Sequence, residues 1–227
     1  CYSLIMALNI NGTTGISGVD GSVSAPAVTG TDSNTGITFP SADTIKFSTG
    51  GVERMSISNS GVSGISTGVV LQVVQTRLNS AAVQNINAGS NYDWSSFSAS
   101  ITPSSTSNKV LITAMLSLVG ESSNPFYLKI KNGTTGNYLS GSRGNSSGSK
   151  ELVTTGIPTQ SNDFTLGNVY VEFLDSPSTA SAVQYYFTIS HGSNTQRAIY
   201  INQTDSDQNN YQYTRGISTL TLKEIAA

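Results

Sequence analysis

The 227 residues include 37 Ser, 26 Thr, 19 Asn and 22 Gly, 104 in all, and only 11% are charged, against roughly 25% in ordinary soluble domains. Ser, Thr and Asn compete for backbone hydrogen bonds and Gly adds chain entropy, so long helices are disfavoured. A net charge of −2 without any Lys/Arg run excludes a phosphate-tracking groove for nucleic acid, and no apolar stretch approaches the ~18–20 residues that span a bilayer.

The single cysteine, Cys1, permits no disulfide within this sequence, and the single histidine, His191, excludes a site that needs two imidazoles. Neither a metal nor a cofactor is expected. Leu4–Ile10 is too short for a signal peptide and lacks its basic start. Met6 is read as the natural start, which makes residues 1–5 an over-long reading frame.

Half of the 22 glycines fall within the first 68 residues, where apolar residues come in short bursts. Ile37-Thr38-Phe39, Thr44–Phe47 and Val52–Ile57 alternate apolar and polar side chains, as half-buried strands do. Turn clusters separate them at Pro40–Asp43, Ser48–Gly51 and Ser58–Gly61. Isolated hairpins of this length are marginal in water, so the segment is expected to wrap with other copies around a common axis; a disordered linker is the alternative.

Longer strands begin near Val69. Val69–Val74 opens a second domain, Lys109–Leu118 is the longest apolar strand, and further strands read at Phe126–Lys131, Glu151–Ile157, Asn168–Leu174, Val183–Ser190, Arg197–Ile201 and Ser218–Ile225. Their aromatic and β-branched content suits strands, and eight to ten of them in residues 69–227 fit a jelly-roll-like antiparallel sandwich. Between them, Asn132–Lys150 reads as a flexible protrusion, Asp175–Ala182 as a plain turn, and Asn202–Arg215 as a polar loop carrying Tyr211 and Tyr213.

Enzymatic signals are poor. Glycan cleavage needs two carboxyl groups at a suitable separation, and the closest acidic pair, Asp205 and Asp207, sits in that polar loop, where a solvated role competes with a catalytic or cation-binding one. His191 follows a strand and reads as a strand-end turn rather than a general base. No Gly-x-Ser-x-Gly or Gly-Lys-Ser/Thr pattern is present. The sequons at Asn11, Asn132, Asn145 and Asn202 follow from composition. Binding is easier to support, because glycans are met by aromatic faces flanked by amides and hydroxyls. Trp94, beside Asn91-Tyr92-Asp93, and Tyr211, Tyr213, Asn209 and Asn210 have that character. Alternatively, Trp94 caps the sandwich and the tyrosines pack at a subunit interface.

Gly30–Pro40, Ala42–Ile45 and Gly50–Ile57 together resemble a segment of tail-fibre and fibre-like proteins of marine and cyanobacterial phages. Ile101-Thr102-Pro103-Ser104-Ser105 with Asn108–Ile112, and the terminal Ser218–Ile225, are similar to the distal domains of the same proteins. This resemblance implies a homotrimeric virion protein, made in the host cytoplasm and located on the tail or capsid surface. In it, residues 1–29 form an extended attachment arm to other virion proteins, residues 30–68 a short intertwined β shaft, and residues 69–227 a β-sandwich knob. Host-surface attachment through polysaccharide is the implied role of a tail fibre. A head fibre, capsid decoration or baseplate protein with an architectural role is the alternative, and a glycan depolymerase a remote one. No binding residue carries over from the resemblance.

Overall fold

The computed structural model of the chain describes residues 10–11, 15–16, 20–64, 68–162 and 164–227. All ordered elements among them are β, and they fall into two units, Cys1–Ser66 and Thr67–Ala227. Most of the expected N-terminal arm, including the proposed start at Met6, lies outside the described residues.

In the first unit, two-residue pairings (Ile10–Asn11 with Gly15–Ile16, Gly21–Ser22 with Ala25–Pro26) precede a five-stranded antiparallel meander. Val28–Thr29 leads into β1 (Gly36–Ser41), β2 (Thr44–Thr49), β3 (Val52–Ser58) and β4 (Gly61–Ser63). The β2–β3 hairpin turns on Gly50 and Gly51, both at positive φ, the conformation that a two-residue turn with both centres left-handed demands. Register places Val28, Ile37, Phe47 and Met55 in one row and Ile45, Ile57 and Val62 in another on the same face. Among the described residues no element of this unit covers that face, and Val28, Ile45, Ile57 and Val62 are exposed. The small polar residues Thr38, Ser48 and Ser56 are buried instead, with Pro26.

The second unit contains β5 (Val70–Leu78), β6 (Ala82–Ile86), β7 (Tyr92–Asp93), β8 (Ala99–Ile101), β9 (Lys109–Gly120), β10 (Phe126–Asn132), β11 (Asn137–Tyr138), β12 (Thr155–Ile157), β13 (Asn168–Asp175), β14 (Val183–His191), β15 (Arg197–Ile201) and β16 (Ser218–Ile225). Several lie end to end on one neighbour. β16 and then β15 follow β9, with β5 and β6 beyond them and β13 on the opposite edge of β9. In the second sheet, β7 and β8 share one neighbour, β14, while β11 and β12 share β10. Counting each collinear pair once gives eight tracks, ordered β5/β6, β15/β16, β9, β13 in one sheet and β7/β8, β14, β10, β11/β12 in the other. That is the double Greek-key order of a jelly roll.

Alternation along the strands explains the core. In β16, Ser218, Leu220, Leu222 and Glu224 are buried while the residues between them are partly exposed, as a sheet with one inward face requires. Val110, Ile112, Leu116 and Leu118 of β9 meet Phe126, Leu128 and Ile130 of β10 and Tyr185, Phe187 and Ile189 of β14 in one apolar cluster.

Two expectations are corrected. Asn132–Lys150 is no protrusion: Leu139 is buried in the core cluster, its N–H donates to the Ile130 carbonyl, and Gly144 N–H donates to Val153. The strand expected over Glu151–Ile157 is confined to Thr155–Ile157, because only these residues pair with β10.

Two inward positions of β16, Ser218 and Glu224, are polar, and one of them carries a charge. Glu224 is 2% exposed, and its Oε1 accepts the Ser104 N–H, the Ser104 hydroxyl and the Asn108 Nδ2–H at 2.6, 2.7 and 2.7 Å. Burial pushes this carboxyl up, but these hydrogen bonds outweigh it and hold the group below its ordinary value of 4.5. The clamp therefore stabilises fully above the unfolded value and is lost as pH falls through the folded one. Glu224→Ala is expected to cost about 2–4 kcal/mol at pH 7, since it strands buried donors. Urea titrations at pH 7 and pH 3 check this: the penalty must shrink at the lower pH, and Glu224→Gln must flatten the acid dependence.

Candidate functional site

The Asn202–Ile217 loop is a consequence of the sheet. β15 ends opposite Leu118 of β9 and β16 begins opposite Met115, so the chain leaves one edge and returns to it. Asn202 makes the exit, at φ 56°, a left-handed conformation that Asn tolerates better than most residues. It is fully buried, and its Nδ2 donates to the carbonyls of Leu78 and Ser80, both at 3.0 Å, where β5 gives way to β6. Its Oδ1 accepts from the Ser218 hydroxyl at 2.8 Å, and that hydroxyl accepts the Ser117 N–H at 3.0 Å. Both strand interruptions are thus closed by one amide.

Outside this neck, a bridge between Gln203 and Arg215 holds the base of the loop together. Arg215 grips Asp207 with two nitrogens, Nε to Oδ1 at 2.9 Å and Nη2 to Oδ2. Tyr213 packs against Phe164 with ring centroids 5.1 Å apart. The loop surrounds an open depression of about 320 Å³ lined by Asp207, Gln208, Asn209, Asn210, Tyr213 and Arg215. Three of the five sequence candidates, Asn209, Asn210 and Tyr213, therefore come together here. Tyr211 stands beside them on the same loop, 93% exposed.

Trp94 is a correction. The break between β7 and β8 turns Trp94 and Phe97 inward, so Trp94 is 2% exposed and packs against Phe97 with ring centroids 4.7 Å apart within the core. Its backbone N–H donates to the Phe187 carbonyl at 2.8 Å. The ring has no face to offer a ligand. Asp207 is engaged with Arg215, as above. His191 is buried, with Nε2 against the Ile86 carbonyl at 2.9 Å and Nδ1 accepting the Ser193 N–H at 3.1 Å. A ring that accepts at Nδ1 is the neutral Nε2–H tautomer, and both of its nitrogens are occupied.

A second polar surface was not legible in the sequence. Two outward residues of β10 and β14, Lys129 and Thr188, are buried, with Glu151 and Tyr138 of the loop of residues 133–154 beside Lys129 and Asp93 beside Thr188. Asp93 receives Lys131 at 2.6 Å, the Thr188 hydroxyl at 2.7 Å and the Tyr186 hydroxyl at 3.4 Å. Burial raises the Asp93 carboxyl, but these donors and the Lys131 charge hold it below the carboxylate range, and Asp93 in turn holds Lys131 above the ordinary lysine value. Lys129 is ion-paired with Glu151 and donates to Asn91 Oδ1. The Tyr138 ring lies within 6 Å of the cationic groups of Lys129, Lys131 and Arg143, a cation–π arrangement. Next to this layer opens a pocket of about 550 Å³, walled by residues 89–91, Tyr127, 149–151 and 190–192. Among the described residues, no group of three or more His, Cys, Asp or Glu side chains is arranged to hold a metal ion.

No family model and no curated protein matches the chain. Among solved structures, the crystal structure of the infectious bursal disease virus VP2 subviral particle is similar over 91% of this chain and 58% of that one, with 9% identity and a TM-score of 0.36. The structure of the infectious bursal disease virus Gx strain is similar over 91% and 59%, with 10% identity and a TM-score of 0.33. The chain spans under two thirds of the length of either.

The neck chemistry separates the loop from the fold. Replacing Asp205–Tyr213 by two glycines, across the gap that the Gln203–Arg215 bridge brings together, is expected to leave the midpoint of thermal unfolding within a few degrees. Asn202→Ala, with the loop intact, is expected to cost about 2–3 kcal/mol because it orphans two carbonyls and a hydroxyl. Thermal and urea unfolding of both variants check the contrast.

Proposed function

We propose that the chain is a phage virion structural protein, a short homotrimeric fibre whose jelly-roll knob contributes to attachment to host-surface polysaccharide. The observation that carries this reading is the uncovered apolar face of the β1–β4 meander. Val28, Ile37, Phe47 and Met55, with Ile45, Ile57 and Val62, form a continuous apolar surface on a unit whose buried residues are mostly small and polar. Few-stranded sheets without a covered face are marginal in water, and contiguous exposed apolar patches mark interaction surfaces. Three copies packed around an axis bury that face and make a slender shaft. The N-terminal residues then serve contact with other virion proteins.

Attachment is assigned to the knob's polar loop, where exposed Tyr211 stands beside an open depression lined by Asn209, Asn210 and Tyr213. One shallow site binds weakly. Three per trimer and several trimers per particle gain avidity through effective concentration.

An architectural role in head decoration or a baseplate is the second reading. It is favoured by the outer face of the β5, β16, β9 and β13 sheet, where the row Gln75, Thr221, Thr113, Glu172 borders an open depression of about 410 Å³, next to exposed Val73 and Tyr170. Such a face suits a neighbouring particle subunit.

Light scattering is expected to give a trimer mass for the chain and a monomer for Ile45→Asp/Ile57→Asp. Both side chains are exposed on the single chain, so their substitution spares its fold. A monomeric parent protein overturns the shaft. Purified protein is expected to block phage adsorption, with Tyr211→Ala weakening the block. Labelled antibody on the capsid surface instead of the tail, with no competition at saturating protein, selects the architectural reading.

A further inference from the structure

We infer that the pocket beside Tyr127 and Ser190 is a saccharide subsite that takes one neutral pyranose unit. The inference deepens the attachment reading by naming a ligand class and a place distinct from the Asn202–Ile217 loop.

Its walls come from three directions. Tyr127 of β10 and Ser190 of β14 are register partners on the outward face of their sheet. Residues 89–91 close one side and residues 149–151 another, around a volume of about 550 Å³, a size that accommodates a small polar ligand.

The lining is chemically specific. Lys150 and Glu151 are adjacent and of opposite sign, and Asn91, Ser149, Tyr127 and Ser190 add amide and hydroxyl groups. A phosphate or a nucleotide asks for an excess of cations, which is absent here. An apolar ligand asks for apolar walls. Mixed donors and acceptors beside an aromatic side chain match the hydroxyl-rich rim and C–H face of a sugar ring.

Ser190 supplies the decisive detail. The residue is 6% exposed, and its hydroxyl is one of four buried side-chain polar atoms among the described residues without a hydrogen-bond partner, with those of Thr38, Ser117 and Gln160; of these four, Ser190 lines this pocket. A buried hydroxyl left idle is costly, and its persistence calls for a reason. A ligand hydroxyl entering this pocket satisfies it. Gly192 keeps the approach open: a Cβ there lies 3.0 Å from the Tyr127 hydroxyl oxygen and 3.0 Å from Pro125 Cγ.

The walls are held before any ligand arrives. Buried Lys129 ties down Glu151 and Asn91 together, and His191 is fixed at both ring nitrogens. Preorganisation of this kind lowers the ordering cost of binding. It also leaves His191 no free nitrogen for proton transfer, so the arrangement suits binding and not hydrolysis.

The test is saturation-transfer NMR on the full chain with glucose, galactose, mannose, rhamnose and N-acetylglucosamine, and inorganic phosphate as control. At least one pyranose is expected to bind with a millimolar Kd, at or below about 10 mM, and phosphate not to bind. Ser190→Ala is expected to weaken binding about fivefold or more while the unfolding midpoint stays level or rises, because removing an idle buried hydroxyl relieves a cost. Gly192→Val is expected to abolish binding, and Tyr211→Ala to leave it unchanged. No saturable binding of any of these sugars up to about 50 mM, or affinity unchanged in Ser190→Ala, overturns the subsite. Blocked adsorption with no sugar bound overturns the subsite alone, and sugar bound without adsorption block overturns the attachment reading alone.

Discussion

The second unit is organised by a geometric constraint on β9. Its twelve residues run longer than either strand that pairs with its inner edge, so β16 and β15 divide that edge between them. Wherever a strand is divided, backbone groups are left without ladder partners, and leaving them buried and unpaired is expensive. Asn202 solves this with one side chain, because an amide carries both donors and an acceptor. It ties together the broken ends of both neighbouring tracks, and the chain leaves the sheet as a loop at the same point. The position of the polar loop is therefore set by sheet pairing, while its residues are free to vary in chemistry.

The same economy recurs elsewhere in the unit. Few charges are present, and the inward or covered ones are each matched. Glu224 is held by Ser104 and Asn108, Lys129 by Glu151 and Asn91, and Asp93 by Lys131, Thr188 and Tyr186. Tyr185 follows the rule too: buried among apolar residues, its hydroxyl donates to Asp175 at 2.7 Å, and burial with that carboxylate pushes the phenol far above its ordinary value. Against these matched charges, the hydroxyls of Ser117 and Ser190 and the Gln160 amide nitrogen are buried without a partner, and Ser190 is the one of them that lines the pocket beside Tyr127.

The Glu224 clamp also gives physical meaning to two sequence marks. Thr102-Pro103-Ser104-Ser105 with Asn108, and the terminal Lys223-Glu224-Ile225, stand well over 100 residues apart yet form a single device. One segment supplies the donors and the other the carboxylate. Each half is a commonplace string by itself. Together they fasten the last strand to the loop that precedes β9.

The strands were legible because alternation and β-branched content are local properties: Ser218–Ile225 and Arg197–Ile201 appear with the ends read from the sequence, and Val183–Ser190 extends by one residue. The candidate site was half legible. Asn209, Asn210, Tyr211 and Tyr213 share a loop because they are neighbours in the chain. Trp94 is surrounded in sequence by Asn, Asp and Ser, but the direction of its ring is set by a break in the strand pairing with β14, which no local pattern records. Tyr127 and Ser190 meet through the register of β10 with β14, and Glu151 joins them because the loop of residues 133–154, anchored by Leu139, folds back toward these strands. The sequence by itself thus determined the β class, the strands, the scarcity of charge and the polar loop, since these depend on periodicity and composition. Which polar residues are buried, which aromatic ring is hidden and where a pocket opens were decided by tertiary structure, because each depends on what the opposing sheet or a distant loop places over it.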